Sequence, residues 1–308
     1  MRVFRRTSDY PYGPCNLTIG NFDGLHLGHL AMISKLKEVA SQNHLPTAVL
    51  TFEPHPREYF SSASAPLRLT TLREKLEHFQ LLGIDYVFAI AFNAGFSHLS
   101  AQAFIQDILV RDLQAKYILI GDDFCFGHKR IGNFDTLKKA SLQYGFQVEN
   151  LPTVTQRDKR ISSTAIRQAL YAGHLAEAEA LLGRPFSISG KVVHGDKLGR
   201  ALGYPTANIH FKHIIPPLMG IFCVEIHGLD RCYQGVASLG VRPTVKKNAP
   251  FVLEVFIFDF NAQIYEHHVR IDFFKKLRDE IHFPEISSMT AQIARDVADT
   301  KSFFLNKH

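Results

Sequence analysis

Two histidines stand three residues apart in GNFDGLHLGHL, residues 20–30, where a short apolar run gives way to a helical pattern. If a strand closes near Gly20 and a helix opens near Leu27, His26 and His29 lie at that helix's N-terminus. Unpaired backbone N–H groups and the positive end of the dipole attract anions there. Imidazoles at i and i+3 share one helix face, and each can donate an N–H to oxygens that gain charge in a phosphoryl transition state. Gly28, between them, has no side chain to hold a phosphate off. A P-loop would need GxxxxGK, which is absent, and zinc finds only two ligands, with Asp23 held on the preceding turn. Taken alone, HxGH also suits one histidine capping a turn while the other packs.

A second segment carries matching chemistry. ISSTAIRQAL, residues 161–170, opens a helix with Ser162, Ser163 and Thr164, whose hydroxyls and amides suit phosphate, and Arg167 one turn on can fork onto two oxygens. By itself this is equally an ordinary serine cap. HxGH at one helix start and SSTxxR at another together point to adenylyl transfer.

The elements that must position these groups alternate through the first half. NLTIG (16–20), PTAVLTF (46–52), YVFAIAF (86–92), YILIG (117–121) and a weaker FQVENL (146–151) read as buried strands with helical stretches between them. Thr71 and Glu74 form a capping box that opens a helix over 71–82, Gly83 stops it, and Ser100 caps the next. This alternation predicts an α/β, Rossmann-like parallel sheet with helices on both faces, whose ligands bind beyond the carboxyl ends of the strands, where HxGH falls. Helices over 162–171 and 174–182 close this half, and Gly183-Arg184-Pro185 breaks the pattern, so the domains are expected at 1–184 and 185–308.

After Pro185 come short, closely spaced runs: SISGKVV, TANIHF, GIFCVEIHG, YQGVASLG, VLEVFIFDF and HHVRIDFF. Alternation in several of them, as at Val252 and Glu254 or Ile221 and Cys223, predicts a small antiparallel β-barrel with one strand face buried and the other wet. The tail over 287–304 has the period of a closing amphipathic helix.

Composition bounds the rest. The 308 residues suit two domains, and 46% hydrophobic residues with 25 Phe exclude a disordered chain. The four cysteines, Cys15, Cys125, Cys223 and Cys232, form no CxxC pair and read as reduced thiols in a cytoplasmic protein. No signal-type apolar segment follows the basic N-terminus, and no apolar stretch is long enough to span a bilayer. The net charge of +6 is dispersed, which favours anionic small-molecule substrates over nucleic acid or membrane; a monomer or weak homo-oligomer is expected.

Taken in order, GNFDGLHLGH, TFEPHPRE, GDDFCFGHKRIG, ISSTAIR, GDKLGRALGYPTANI, GVASLGVRPTV and LEVFIFDF resemble the bacterial bifunctional riboflavin kinase/FMN adenylyltransferase (FAD synthetase) family over nearly the whole chain. The resemblance implies that FMN phosphate attacks the α-phosphorus of ATP in the N-terminal half and pyrophosphate leaves. His26 and His29 would steady the α-phosphate, and Ser163, Thr164 and Arg167 the departing phosphates. Gly20, Asn21, Phe22, Asp23 and Gly28 would line the nucleotide site. Phe52, Pro54, His55 and Pro56 would shape the flavin side, with Asp123 and Phe124 nearby. Phe52 and Phe124 fit core packing equally well, and Asp122 and Asp123 suit either Mg²⁺ or ribose.

In the C-terminal half the resemblance implies a riboflavin kinase. Gly195, Gly199, Gly203 and Pro205 would approach the nucleotide, Thr206 and Asn208 would offer oxygens to Mg²⁺, and Glu254 would act as general base on the riboflavin 5′-hydroxyl. Arg278 would lie near the flavin entrance. Glu254 would otherwise read as a solvated strand residue. Two departures concern local shape: Tyr265-Glu266 stands where many relatives have Tyr-Gly, and Phe222 replaces a frequent Tyr. The alternatives are an adenylyltransferase whose barrel only binds flavin, and an RNA-binding HxGH protein, for which a KMSKS-like loop and an anticodon-reading appendage are missing.

Overall fold

Six strands, β1 (Arg2–Phe4), β2 (Asn16–Ile19), β3 (Thr47–Phe52), β4 (Tyr86–Ile90), β5 (Tyr117–Gly121) and β6 (Gln147–Leu151), pair in the order β1-β4-β3-β2-β5-β6. Every pairing is parallel. In this computed structural model all residues are described except 62–64, 157–158, 196–198, 200–201, 212–214, 242–250 and 308. Parts of the GDKLGRALGYPTANI and GVASLGVRPTV stretches therefore lie outside the described residues.

The sheet is buried on both faces, as continuous apolar strands require. On one side Leu17, Leu50, Phe88 and Ile118 pack with Phe104 and Leu109. On the other, Ile33 of the helix Leu27–Asn43 packs with Phe22, Val49, Phe79 and Val87. Order runs outward from β2 through β3 and β4 on one side and β5 and β6 on the other. The order reverses between β2 and β5, the kind of switch point beyond whose carboxyl ends open α/β sheets bind ligands. The helix Leu72–Leu81 opens on the expected capping box, with Thr71 Oγ1 accepting from the Glu74 N–H at 3.1 Å. Ser100 accepts from the Ala103 N–H at 3.0 Å. Strand β1 was not expected: Arg2, Val3 and Phe4 are too short a stretch to carry an apolar run, and only pairing with β4 makes them a strand. After β6, two short antiparallel strands, β7 (Thr155–Gln156) and β8 (Lys159–Arg160), pair with each other.

The chain divides into two compact units, residues 1–66 with 70–163, and 67–69 with 164–308. The division falls ahead of the break expected at Gly183. The helix Leu175–Leu182 packs on barrel strands, which groups it with them.

In the second unit β9 (Phe186–Val193), β10 (Thr206–His210), β11 (Gly220–His227), β12 (Tyr233–Val241), β13 (Phe251–Ile257) and β14 (His268–Arg278) close into a barrel in the order β10-β13-β12-β11-β14-β9. All its pairings are antiparallel. On β13 the expected alternation holds, with Leu253, Val255 and Ile257 buried and Glu254 partly exposed. On β11 it fails: Gly220 to Val224 are buried on both faces. The helix Ile286–Leu305 covers the start of that strand, with Cys223 Sγ 3.4 Å from Thr300 Oγ1, so the face expected to be wet is dry at Ile221 and Cys223 and partly exposed only at Glu225 and His227. Phe222 is fully buried edge-to-face on Phe273, where a tyrosine hydroxyl would need a partner.

Candidate active sites

The link from β2 into the helix Leu27–Asn43 is a turn of left-handed residues, Phe22 (φ 48), Gly24 (φ 86) and Leu25 (φ 40). Non-glycine residues adopt this region at a cost, and burial of Phe22 and Leu25 in the core holds them there. Asp23 is buried, and its Oδ1 accepts from the Thr70 N–H at 3.1 Å and the Thr70 hydroxyl at 3.2 Å. Asp23 thereby fixes the turn from within.

His26 is the N-cap of the helix, and its Nδ1 accepts from the His29 N–H at 3.4 Å. Because Nδ1 accepts, the neutral ring carries its proton on Nε2, which makes that atom a donor. The two imidazoles stack with centroids 3.7 Å apart, and His29 also leans on Phe22 at 5.0 Å. A Cβ on Gly28 would lie 3.1 Å from the His26 ring, so this glycine makes room for the histidine itself. Gly20 likewise leaves space for the ring of Phe22. Ser163, first residue of the helix Ser163–Tyr171, donates from Oγ to the Asp23 carbonyl at 2.9 Å and so joins the second motif to the first. Thr164 and Arg167 belong to the other compact unit; Thr164 is exposed, and Arg167 Nε donates to the Leu67 carbonyl at 2.5 Å.

Beyond β5, Asp122 and Asp123 share Arg160, whose Nη2 lies 3.3 and 3.2 Å from their carboxylates. Phe124 stacks on Phe126, at the edge of the core. At the end of β3, Phe52 packs with Phe92 and Phe96. His55 caps the short helix that begins at Pro56, accepting from the Arg57 N–H at 3.1 Å, and Pro54 precedes it. Tyr59 and Phe60 extend this aromatic group outward, Phe60 being 68% exposed. Sequence reasoning missed these two rings, Arg160, and Lys75, a buried ammonium that donates to the Asn21 carbonyl at 3.2 Å. Lys75 stands four residues before the buried Phe79, so helical period alone could have placed it on the inner face.

In the barrel, strand register assembles the second set. Asn208 on β10 pairs directly with Glu254 on β13, and the Thr206 hydroxyl lies 3.4 Å from Glu254 Oε2. Asn208 is buried, and its Oδ1 accepts no hydrogen bond among the described residues. A Cβ on Gly195 would fall 2.3 Å from the Asn208 amide, so only glycine allows this approach. Gly199 is similarly pressed against the Tyr204 carbonyl, while Gly203 and Pro205 are exposed in the turn before β10. Arg278 ends β14 in a two-pronged ion pair with the buried Asp296, Nε to Oδ1 at 3.0 Å and Nη2 to Oδ2 at 2.6 Å. Its guanidinium is thus committed to the C-terminal helix. Glu266 adopts φ 71, the region that glycine occupies without penalty.

Comparison with known proteins bears on both sets. Residues 11–165 match the family model for FAD synthetase and residues 182–304 that for riboflavin kinase. The bifunctional riboflavin kinase/FMN adenylyltransferase of Escherichia coli K12 is 45% identical over 99% of this chain and 97% of its own length. The protein of the same name from Haemophilus influenzae is 44% identical over 94% of each. Among solved structures, the macrolide-efflux protein from Streptococcus pneumoniae superposes with a TM-score of 0.82 at 29% identity, over 96% of both chains.

Proposed function

The chain belongs to the bifunctional riboflavin kinase/FMN adenylyltransferase family, and from that premise we propose how its own residues divide the work. The enzyme phosphorylates riboflavin to FMN in its C-terminal part and adenylylates FMN to FAD in its N-terminal part, releasing pyrophosphate. The observation that carries the adenylyltransferase assignment is that the two motifs meet, Ser163 Oγ donating to the Asp23 carbonyl at 2.9 Å, while His26 Nδ1 accepts from the His29 N–H at a helix start beside the sheet's switch point. With its Nδ1 so engaged, His26 presents an Nε2–H, and His29 a second ring on the same face, toward an α-phosphate gaining charge. Preorganised donors of this kind lower the barrier because they need not reorient as charge develops.

Ser163, Thr164 and Arg167 hold the departing phosphates in this proposal, and Gly20, Asn21, Phe22 and Asp23 form the wall of the nucleotide site. The aromatic group around Phe52, with Pro54, His55 and Pro56, gives the isoalloxazine ring a flat apolar bed. Asp123 and Phe124 flank the flavin phosphate end. We place the functional boundary at residues 184 and 185, the C-terminal share being 185–308.

In the kinase part Glu254 takes the proton of the riboflavin 5′-hydroxyl as the oxygen attacks the γ-phosphorus of ATP. The buried acceptor of Asn208 and the hydroxyl of Thr206 beside Glu254 suit a hard divalent cation, so these two residues would hold Mg²⁺. Bound there, Mg²⁺ would neutralise charge on ATP's phosphates. Gly195, Gly199, Gly203 and Pro205 form the nucleotide turn, and Arg278, through its pair with Asp296, positions the flavin-side end of β14. The enzyme works in this reading as a cytoplasmic monomer or weak homo-oligomer on small molecules, without nucleic acid or membrane.

The test is a Mg²⁺ titration of FMN formation. Asn208→Ala raises the concentration for half-maximal rate about tenfold while FAD formation from supplied FMN is unchanged; an unaltered Mg²⁺ dependence removes Asn208 as a ligand.

A further inference from the structure

On the outer surface of the barrel, three donor side chains of different chemistry converge where no flavin residue has been placed. Glu225 and His227 are two apart on β11 and so point to the same face. The hairpin that follows returns at Cys232, next to Tyr233, whose strand residue pairs with Ile226. His227 Nε2 lies 3.8 Å from Glu225 Oε2 and 3.8 Å from Cys232 Sγ, and all three donor atoms fall within 4.8 Å of one another.

We propose that Glu225, His227 and Cys232 bind Zn²⁺. Bond lengths of about 2.0–2.1 Å to N and O and about 2.3 Å to S, at tetrahedral angles, require donors about 3.3–3.5 Å apart. The two separations from His227 exceed this by a few tenths of an ångström, and rotation of the Glu225 and Cys232 side chains closes the third side of the triangle. A carboxylate, an imidazole and a thiolate are a borderline-soft set that selects zinc over Mg²⁺ or Ca²⁺. On binding, the Cys232 Sγ–H proton passes to solvent and the thiolate closes the site.

The surroundings are built to hold the three donors. The Tyr233 hydroxyl donates to the Asp230 carboxylate at 3.1 Å, and the Arg231 guanidinium lies over the Tyr233 ring at 4.7 Å, which fixes the hairpin that carries Cys232. Asp272, opposite Glu225 on β14, brings a further carboxylate oxygen to 3.2 Å from His227 Nε2, and Arg270 anchors that carboxylate through Nε at 2.8 Å. Lys307 stands 3.9 Å from Glu225 Oε1. Bound metal would join β11 to the hairpin and stabilise the barrel by mass action.

The experiment uses the untagged full-length enzyme, stripped of metal, with Zn²⁺ added against a chromophoric chelator and Co²⁺ as a spectroscopic substitute. One Zn²⁺ per chain, together with a thiolate-to-cobalt charge-transfer band, is expected for the wild type. His227→Ala and Cys232→Ser each weaken binding about a hundredfold or more, and Cys232→Ser abolishes the band. Both flavin activities remain at the wild-type rate in the variants, which reports that the fold is kept. Should either variant unfold, Glu225→Gln carries the same expectation. Failure of the wild type to hold zinc against the chelator, or retention of zinc and band by the variants, overturns the proposal.

Discussion

The two proposed reaction centres are assembled by opposite means. At HxGH, geometry comes from backbone that leaves regular structure: left-handed Phe22, Gly24 and Leu25, a histidine cap, and a helix start docked through Ser163 on the Asp23 carbonyl. Around Glu254, geometry comes from regular structure itself, because the register of β10 against β13 sets Asn208 opposite the glutamate and Thr206 beside it. A turn can be retuned by its own residues. A register cannot slip without moving every side chain on the strand to the other face. The comparison teaches that the first site is locally determined and the second is held by the closed barrel.

Glu254→Gln breaks the comparison most severely on the barrel side. It preserves the pairing with Asn208 but removes the proposed base, so FMN formation from riboflavin is expected to fall about 10²–10⁴-fold while FAD formation from supplied FMN persists. Equal loss of both reactions would mean that the two centres are not separately built. Asp296→Ala probes whether the barrel frame is held from outside by the C-terminal helix. It strands the Arg278 guanidinium without its carboxylate partner, and denaturant unfolding should show about 3–5 kcal/mol lost from the barrel transition. A loss under about 1 kcal/mol would make the pair dispensable. Glu266→Gly gives the smallest effect, relieving a left-handed glutamate at the cost of an exposed ion pair with Lys191. Stability should change by no more than about 1 kcal/mol, with FMN formation unaltered.

What the sequence disclosed follows the same division. Strands β2 to β6, the capping box at Thr71, the cap at Ser100 and the helix start at Leu27 were legible because each is written in neighbouring residues. The barrel strands were legible as strands, and Glu254 acquired a role only through family resemblance, since a glutamate on an alternating strand has no chemistry of its own. Long-range facts were hidden. The drying of β11 depends on a helix much later in the chain, Arg278 is taken by Asp296, and Arg160 reaches Asp122 and Asp123 only because the β7–β8 pairing turns the chain back. His26 was placed correctly at the helix start, and a capping histidine was among the readings of HxGH; which of the two rings caps required coordinates.

The most direct measurement follows the products of riboflavin, ATP and Mg²⁺ by chromatography in His29→Ala beside the wild type. The wild type forms FMN and then FAD; the variant forms FMN at the wild-type rate and loses about 10²–10³-fold in FAD formation, so FMN accumulates. FAD formation at the wild-type rate in His29→Ala would contradict the account.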